Sequence, residues 1–330
     1  MLYLVTNKIL VIGDLHISDR FSGRHINYLE NCFDCLDMIE KSIVDNQITH
    51  LVCLGDWIGI GLAEKNLKER RTLLRLIQVL QKWNKLLNGN VYSLRGNHDI
   101  GKNMTDYDFF VTMGLLKNVP QLDIGTCRLH MFNYGEETRS IYVDNDKYNI
   151  GCFHSNLLIE GLTTWYKGGV GVELSSLKNL YGISMAIAGH IHNPSLRLVS
   201  TSINDSKISL FYPGCPTRPR LEPNMWDKAY GVVITTDELD TQIDLINFDL
   251  KPLEEVFTTL EEDPTKGMND EESTPFDLDT LNEILNELQY FNVNSGQDYV
   301  SQIKRVAGLD KTAADIALKY LEDAEAQFSK

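Results

Sequence analysis

The chain contains 330 residues, of which 43% are hydrophobic and 23% are charged, and this composition excludes a disordered chain and a fibrous protein. At about 150 residues per domain, the length predicts two domains, or one large domain with an extension. The formal net charge is −15, but residues 254–283 alone hold eleven acidic residues and one basic residue. The rest of the chain is therefore close to neutral, and DNA is not excluded as a partner.

The first half of the chain alternates predicted strands with predicted helices. Three short apolar runs are typical of buried strands, and between them apolar residues recur at the spacing of an amphipathic helix. This alternation favours a parallel or mixed sheet with helices packed on its faces. The predicted strands are 8–12, 50–54 and 91–94, and the predicted helices are 26–44 and 67–87.

The second half contains strand-like runs that are separated by turn residues, which predicts a mostly antiparallel second sheet. Together the two halves predict an α/β fold, in which a mixed two-sheet β-sandwich is flanked by helices. The runs of the second half are 128–132, 140–143, 149–153, 184–188, 196–203, 208–212, 231–235 and 242–248.

After residue 250 the pattern weakens. Residues 251–274 are acidic and include Pro264 and Gly267, so we interpret them as a linker or as the start of a capping region. Residues 275–330 carry three stretches with helical spacing of apolar residues, and such helices must bury their apolar faces against something. We therefore predict a main domain at 1–250 and a helical docking region at 275–330.

Polar clusters follow five of the predicted strands, and they contain five of the eight histidines. Ligands of α/β sheets bind beyond the carboxyl ends of the strands, so we expect these side chains to converge. The glycines in the clusters allow the sharp turns that such convergence needs. The clusters are Gly13-Asp14-Leu15-His16, Gly55-Asp56, Gly96-Asn97-His98-Asp99, His154 and Gly189-His190-Ile191-His192.

The residue types in these clusters indicate a metal site. Carboxylates, imidazoles and an amide oxygen suit divalent ions such as manganese, iron or zinc, and the absence of a cysteine cluster disfavours a structural zinc site. The candidate ligands are too many for one tetrahedral ion, but they suffice for two ions that share a bridging carboxylate. Such a pair of ions is a common device for hydrolysing phosphoesters.

In this order, the clusters resemble the calcineurin-like metallophosphoesterase superfamily, and the resemblance spans residues 8–192. Within that superfamily, the Gly96-Asn97-His98-Asp99 motif, the turn at 212–216 and the C-terminal helices look like the SbcD-type nuclease subunit of DNA-break repair. The resemblance implies a metallophosphoesterase catalytic domain at 1–250 and two bound divalent ions. Manganese is the expected metal, with iron or zinc as alternatives.

The resemblance also assigns a role to each residue of the clusters. His98 would face the scissile phosphate as a proton donor or charge stabiliser, and Asp99 would fix its ring. Many relatives carry a second acidic residue at the position of Gly59. The contacts that support the metal ligands would therefore differ here, although no ligand itself is missing. The first ion is assigned to Asp14, His16 and His192, the second to Asn97, His154 and His190, and the bridge between them to Asp56.

Three functions are compatible with this sequence. The first is a manganese-dependent DNA exonuclease or endonuclease, which works in repair or recombination with an SbcC-type coiled-coil ATPase docked on residues 275–330. The second is a small-molecule, cyclic-nucleotide or phosphoprotein phosphoesterase on the same scaffold. The third is a catalytically weak docking protein, which the complete ligand set disfavours. Alternatively, the C-terminal helices pack back on their own protein or on a second copy of the chain.

Two groups of basic residues are candidates for contacts to a DNA backbone. One is the stretch 65–75, which opens the second predicted helix, and the other is the pair Arg218 and Arg220. Basic residues of this kind more often form a solvated surface, so both interpretations stay open.

Nothing in the sequence predicts a secreted or membrane protein. No apolar run approaches the roughly 18 residues of a membrane span, and the N-terminus lacks the pattern of a signal peptide. The six cysteines are sparse for this length, and we expect Cys32 and Cys35 to pack on a helix rather than to bind metal. We therefore expect a cytoplasmic protein without a membrane partner.

Overall fold

The computed structural model of the chain describes residues 6–18, 28–59, 67–101, 104–158, 172–173, 177, 181–200, 207–219 and 226–256. All of them belong to the first of the two units into which the chain divides, Met1–Thr259. The predicted linker beyond residue 256 and the predicted docking region 275–330 lie outside the described residues. The domain boundaries therefore stay predictions.

The described strands form two main sheets and one short parallel pair, and four helices accompany them. The fold class predicted from the sequence, a mixed α/β sandwich flanked by helices, is confirmed. The helices are α1 (Tyr28–Asp45), α2 (Leu67–Leu86), α3 (Asp106–Thr112) and α4 (Leu253–Val256). The strands are β1 (Asn7–Ile12), β2 (His50–Cys53), β3 (Val91–Ser93), β4 (Gln121–Ile124), β5 (Cys127–Phe132), β6 (Tyr148–His154), β7 (Leu157–Leu158), β8 (Val172–Glu173), β9 (Met185–Gly189), β10 (Ser195–Ser200), β11 (Lys207–Tyr212), β12 (Lys228–Thr236) and β13 (Thr241–Asp249).

The first sheet has the strand order β13-β12-β1-β2-β3. Its strands β1, β2 and β3 are parallel to one another, whereas β12 and β13 are antiparallel to their neighbours. The carboxyl ends of β1, β2 and β3 therefore lie at the same edge of the sheet.

The second sheet has the order β10-β11-β9-β6-β5-β4. The prediction of a mostly antiparallel second sheet is wrong, because β5, β6, β9 and β11 all run parallel and only the two edge strands are antiparallel. The connections 133–147 and 155–184 are long enough for the crossovers that parallel strands need. The predicted strand 140–143 is also wrong, since those residues lie in the first of these connections outside any strand.

Both faces of β1 are buried, and each faces a different core. Ile9 and Val11 pack between the two sheets with residues such as Leu129, whereas Leu10 and Ile12 pack against the helices. A strand that is covered on both sides is apolar along its whole length. This explains why the first strands appear in the sequence as uninterrupted apolar runs, and it fixes the strand ends firmly in place.

Helix α3 was not expected from apolar spacing, but its start has a local signal. The Thr105 side chain accepts a hydrogen bond from the backbone N–H of Asp108, and the Asp108 side chain in turn accepts from the backbone N–H of Thr105. This reciprocal pair is a capping box, which stabilises the first turn of a helix.

Two of the basic candidates for DNA contact, Arg75 and Arg218, interact with other residues of the protein itself. Arg218 is 1% exposed, and its guanidinium donates hydrogen bonds to the carbonyl oxygens of Trp226 and Lys251. Arg75 pairs with Glu30 at 2.7 Å. Arg218 is therefore unavailable to DNA, and Arg220 lies outside the described residues.

All six cysteines are buried and free, as their packing role predicts. None of the helices in the described part of the chain is both long and apolar enough to cross a membrane.

Candidate metal centre

The predicted clusters meet at one end of the sandwich. The parallel strands β1, β2 and β3 end there in the first sheet, and β6 and β9 end there in the second, where His154 pairs with Gly189 across the strands. The ligand-type side chains therefore come from both sheets. Asp14 and His16 follow β1, Asp56 follows β2, Asn97 and His98 follow β3, His154 ends β6, and His190 and His192 follow β9.

Asp14, His16 and His192 form the first group of this site. The Nε2 atoms of His16 and His192 are 3.0 Å apart, and Asp14 Oδ2 lies 3.9 Å from the former and 3.8 Å from the latter. Asp14 Oδ1 is buried and has no hydrogen-bond partner among the described residues. An unsatisfied buried carboxylate oxygen is unfavourable, and a cation held by this group would satisfy it.

Asn97, His154 and His190 form the second group. The Asn97 Oδ1 atom lies 3.0 Å from His154 Nε2 and 3.0 Å from His190 Nδ1. The Nδ1–H of His154 donates to the carbonyl oxygen of Leu54 at 2.7 Å, which leaves Nε2 as the nitrogen that can bind an ion. Burial and the neighbouring His154 lower the pKa of His190 to about 3, so its ring is neutral and able to ligate.

Asp56 lies between the two groups. Its Oδ2 atom is 3.2 Å from His154 Nε2 and 3.5 Å from His16 Nε2, and its Oδ1 atom accepts a hydrogen bond from the backbone N–H of His98 at 2.9 Å. Burial acts to raise the pKa of Asp56, but His154 and His98 hold it well below its usual value. Asp56 is therefore an ionised carboxylate that lies within 3.5 Å of a histidine nitrogen from each group.

The carboxylates favour a positive charge in this site. Burial acts to lower the pKa of His154, yet the charges of Asp56 and Asp14 outweigh burial and raise that pKa to about 10. A bound cation would compensate the negative charge of the carboxylates in the same way as a protonated histidine, and the histidines could then stay neutral. Within three overlapping groups of described residues, the ligand atoms lie within 4.8 Å of one another. The donor set thus fits divalent ions.

Three of these residues have an uncommon backbone conformation. The φ angles of His16, Asp56 and His190 are 43°, 48° and 73°, in the left-handed region that non-glycine residues rarely occupy. Each such residue is unfavourable by roughly 1–3 kcal/mol, and strain of this kind concentrates at functional sites. The backbone therefore adopts an unfavourable conformation at three residues whose side chains lie in the candidate site.

Comparison with known proteins agrees with this geometry. The family model described as calcineurin-like phosphoesterase matches residues 7–194, a range that contains every residue of both groups. The chain belongs to this family. No curated protein matches the chain.

Solved structures with similarity to this family member include two Vps29 proteins and one bacterial enzyme. A single mutant of Vps29 from Entamoeba histolytica is 13% identical with a TM-score of 0.31, and the match covers 73% of this chain and 99% of that one. Vps29 from Cryptosporidium parvum is 13% identical with a TM-score of 0.33, and the match covers 74% and 98%. The phosphoesterase YfcE from E. coli is 16% identical with a TM-score of 0.34, and the match covers 74% and 100%.

The site also contains His98, which follows Asn97 of the second group. The ring centroids of His98 and His16 are 5.0 Å apart, and His98 forms a group of possible ligands with His16 and Asp56. His98 thus lies beside the first group of residues, and its predicted role as an acid stays a prediction.

The structure gives Asp99 other partners than the predicted one. Its Oδ2 atom accepts hydrogen bonds from the backbone N–H groups of Gly96 and Asp56, each at 2.9 Å, and the side chain is buried. The predicted contact with the His98 ring is not among the hydrogen bonds of the described residues. Burial and the charge of Asp56 raise the pKa of Asp99 to about 8. Asp99 therefore supports the turn that holds Asp56.

Gly59 packs closely against residues 16–18, in the loop that carries Asp14 and His16. Its N–H donates to the carbonyl oxygen of Ile17 at 3.0 Å, and a Cβ at this position would lie 3.1 Å from the Cβ of Ser18. A side chain at position 59 would therefore require a small shift of Ser18 or of the His16 carbonyl.

Gly96 and Gly189 are required by the two carboxylates. A Cβ on Gly96 would lie 1.9 Å from Asp56 Oδ1, and a Cβ on Gly189 would lie 2.3 Å from Asp14 Oδ1. Each carboxylate therefore occupies the space that a side chain would fill, which explains why glycine precedes a ligand in both motifs.

Sequence reasoning did not single out Tyr134, although this residue lies in the site. Its ring centroid is 5.9 Å from that of His190 and 6.2 Å from that of His154. Tyr134 follows the predicted strand 128–132 as the polar clusters follow the other strands, so its position after a strand was the available signal.

We expect Gly96→Ala to weaken Mn²⁺ binding by at least about tenfold, the scale of changes to the residues that support metal ligands, because the methyl group would displace the Asp56 carboxylate. Isothermal titration calorimetry measures the affinity, and circular dichroism checks that the variant folds. Gly114→Ala is the control for an added methyl group that meets no neighbour, because no atom lies within 4 Å of a Cβ at Gly114. Its positive φ of 69°, which Gly96 does not share, makes the alanine strained, and circular dichroism checks the folding of this variant as well. A Gly96→Ala protein with unchanged affinity would contradict this role of the glycine.

Proposed function

We propose that this family member is a two-metal-dependent phosphodiester hydrolase, and specifically a DNA exonuclease or endonuclease subunit of the SbcD type. The observation that carries the proposal is the position of Asp56, whose Oδ2 atom lies within 3.5 Å of a histidine nitrogen from each of the two groups. A single carboxylate between two sets of ligands is the arrangement that two neighbouring ions need.

The residues assigned to each ion follow from these two groups and from the resemblance noted above. Manganese is the proposed metal, because hard carboxylate and amide oxygens are mixed with imidazole nitrogens, and iron or zinc are the alternatives. Asp14, His16 and His192 would hold one ion, Asn97, His154 and His190 the other, and Asp56 both.

When bound, the two ions would supply Lewis acidity, which activates water near neutral pH and neutralises charge on phosphoryl oxygens. The protein's own contribution is to position groups around the phosphate. His98, whose backbone N–H is fixed by Asp56 at 2.9 Å, would donate a proton to the leaving oxygen or stabilise negative charge in the transition state. The carbonyl of Leu54 keeps the ring of His154 in the tautomer that can ligate.

The turn that supports the SbcD-type proposal lies against this site. The N–H of Cys215 donates to the carbonyl oxygen of His192 at 2.9 Å, and the carbonyl oxygen of Gly214 would lie 2.1 Å from a Cβ on Gly13. The 212–216 segment thus packs on the backbone that presents the first group. The alternative function, a small-molecule, cyclic-nucleotide or phosphoprotein phosphoesterase, would use the same metal centre.

A substrate panel distinguishes these functions. We expect the Mn²⁺-loaded protein to cleave single- or double-stranded DNA, and a chelator or Asp56→Asn to abolish cleavage, because the bridge serves both ions. The panel also includes cyclic nucleotides and an aryl phosphodiester, and atomic absorption measures the bound metal. Cleavage of cyclic nucleotides without cleavage of DNA would favour the alternative. Hydrolysis that survives chelation would contradict the two-metal proposal.

We expect His98→Ala to lower turnover by roughly 10²-fold, as for the loss of a positioned acid, with metal content nearly unchanged. Rate assays and atomic absorption on the same preparation measure both quantities. His50→Ala is the control, because His50 opens β2 at the strand end opposite to Asp56. If the His98 variant loses metal instead, His98 is a ligand and not the acid.

We further propose that residues 275–330 dock the protein on a coiled-coil ATPase of the SbcC type. Apolar residues at helical spacing behind an acidic linker suit a helix-in-groove contact. Deletion of residues 275–330 is expected to abolish capture of the ATPase in a pull-down while hydrolysis of a small phosphodiester continues. Capture by the truncated chain would contradict the proposal, and a change from dimer to monomer would favour a second copy as the partner.

A further inference from the structure

The loop after β5 reaches the metal centre although no predicted ligand lies on it. Strand β5 runs parallel to β6, and the register pairs Phe132 with Phe153, the residue before His154. The rings of Phe132 and Phe153 stack with centroids 4.4 Å apart and planes 3° from parallel. The chain beyond Phe132 therefore emerges beside His154, at the edge where the other ligands lie.

One side of this loop is fixed to the segment that carries Asn97 and His98. The backbone N–H of Arg95 donates to Asn133 Oδ1 at 2.8 Å, and the backbone N–H of Tyr134 donates to the carbonyl oxygen of Arg95 at 2.9 Å. The backbone of Tyr134 is thus hydrogen-bonded to Arg95, which lies two positions before Asn97.

The other side of the loop is fixed to the segment that carries His154. The hydroxyl of Ser155, the residue after His154, donates to the buried carboxylate of Glu137. The same Glu137 carboxylate accepts the N–H of Gly135 at 3.1 Å. The loop therefore connects two ligand-bearing strand ends, and its position is determined by the site.

This anchoring places the Tyr134 ring against two residues of the second group. Its centroid lies 5.9 Å from the His190 ring and 6.2 Å from the His154 ring, and the side chain is half-buried. The ring therefore packs against the imidazoles, and Tyr134 as a whole stays partly exposed to solvent.

We propose that Tyr134 is a specificity-determining residue, which contacts the organic group of the substrate and favours a planar group such as a nucleobase. The inference rests on the proposed function, because a phosphoester bound at the second group would bring its ester substituent close to this ring. An aromatic side chain stacks on any base with little dependence on sequence. Inorganic phosphate has no such group and would gain nothing from the ring.

A pair of binding measurements tests this role without relying on turnover. The Mn²⁺-loaded full chain is titrated calorimetrically with thymidine 5′-monophosphate and, separately, with inorganic phosphate. Tyr134→Ala is expected to weaken binding of the nucleotide by about tenfold, the scale of one lost base–aromatic stack, and to leave phosphate binding unchanged. Tyr134→Phe keeps the ring and is expected to bind the nucleotide like the unsubstituted chain.

Tyr142→Ala is the matched control, because Tyr142 lies in the same connection between β5 and β6 but is 77% exposed and packs over Arg128. Metal content is measured for every variant. Equal weakening of nucleotide and phosphate, a loss of metal, or an unchanged nucleotide affinity in Tyr134→Ala would each overturn the inference. Failure of the unsubstituted chain to hydrolyse any phosphodiester would refute the proposed function alone, since the two affinities still test Tyr134.

Discussion

Two neighbouring buried carboxylates determine the electrostatics of the candidate site, and the surrounding backbone is arranged around them. Asp14 is 2% exposed and Asp56 is 1% exposed, and neighbouring negative charges without water around them repel strongly. The protein compensates with backbone donors, since the N–H of His190 donates to Asp14 at 2.8 Å and that of His98 donates to Asp56 at 2.9 Å. The remaining imbalance of charge is what makes the site suited to cations.

The local details of the site follow from this burial. Glycine is needed at positions 96 and 189 because a side chain there would overlap a carboxylate. The left-handed backbone of His16, Asp56 and His190 bends the chain sharply after each strand, so that the ligand side chains reach the same small volume. The buried Asp99 then fixes the Asp56 turn through two backbone hydrogen bonds.

Sequence patterns predicted those parts that depend on local composition. The strands β1, β2 and β3 were predictable because both of their faces are buried, so that each is a continuous apolar run ending in a polar cluster. The direction of the strands in the second sheet was not predictable, because short apolar runs with turn residues between them look alike whether the connection is a hairpin or a crossover. The incorrect strand at 140–143 has another cause, because Ile141, Tyr142 and Val143 are residue types that are common in strands.

The residues at the site show the same division. The ligand-type residues were recognisable because each follows a strand and belongs to a motif in a known order. The partners of Asp99 were not predictable, because they are backbone groups brought near by the folding of two separate turns. Tyr134 was overlooked because its only signal in the sequence is its position after a strand, and the pairing of β5 with β6 is what brings it beside His154.

The origin of the candidate ligands in two different sheets has a consequence for stability. Asp14 and Asp56 follow strands of the first sheet, whereas His154 ends a strand of the second sheet and His192 follows one. Apolar side chains such as Val11 pack between the two sheets. Ions held by residues from both layers would act as cross-links at the open end of the sandwich. Because a ligand that binds only the native state stabilises it, the resistance of this protein to unfolding would then rise and fall with the supply of metal.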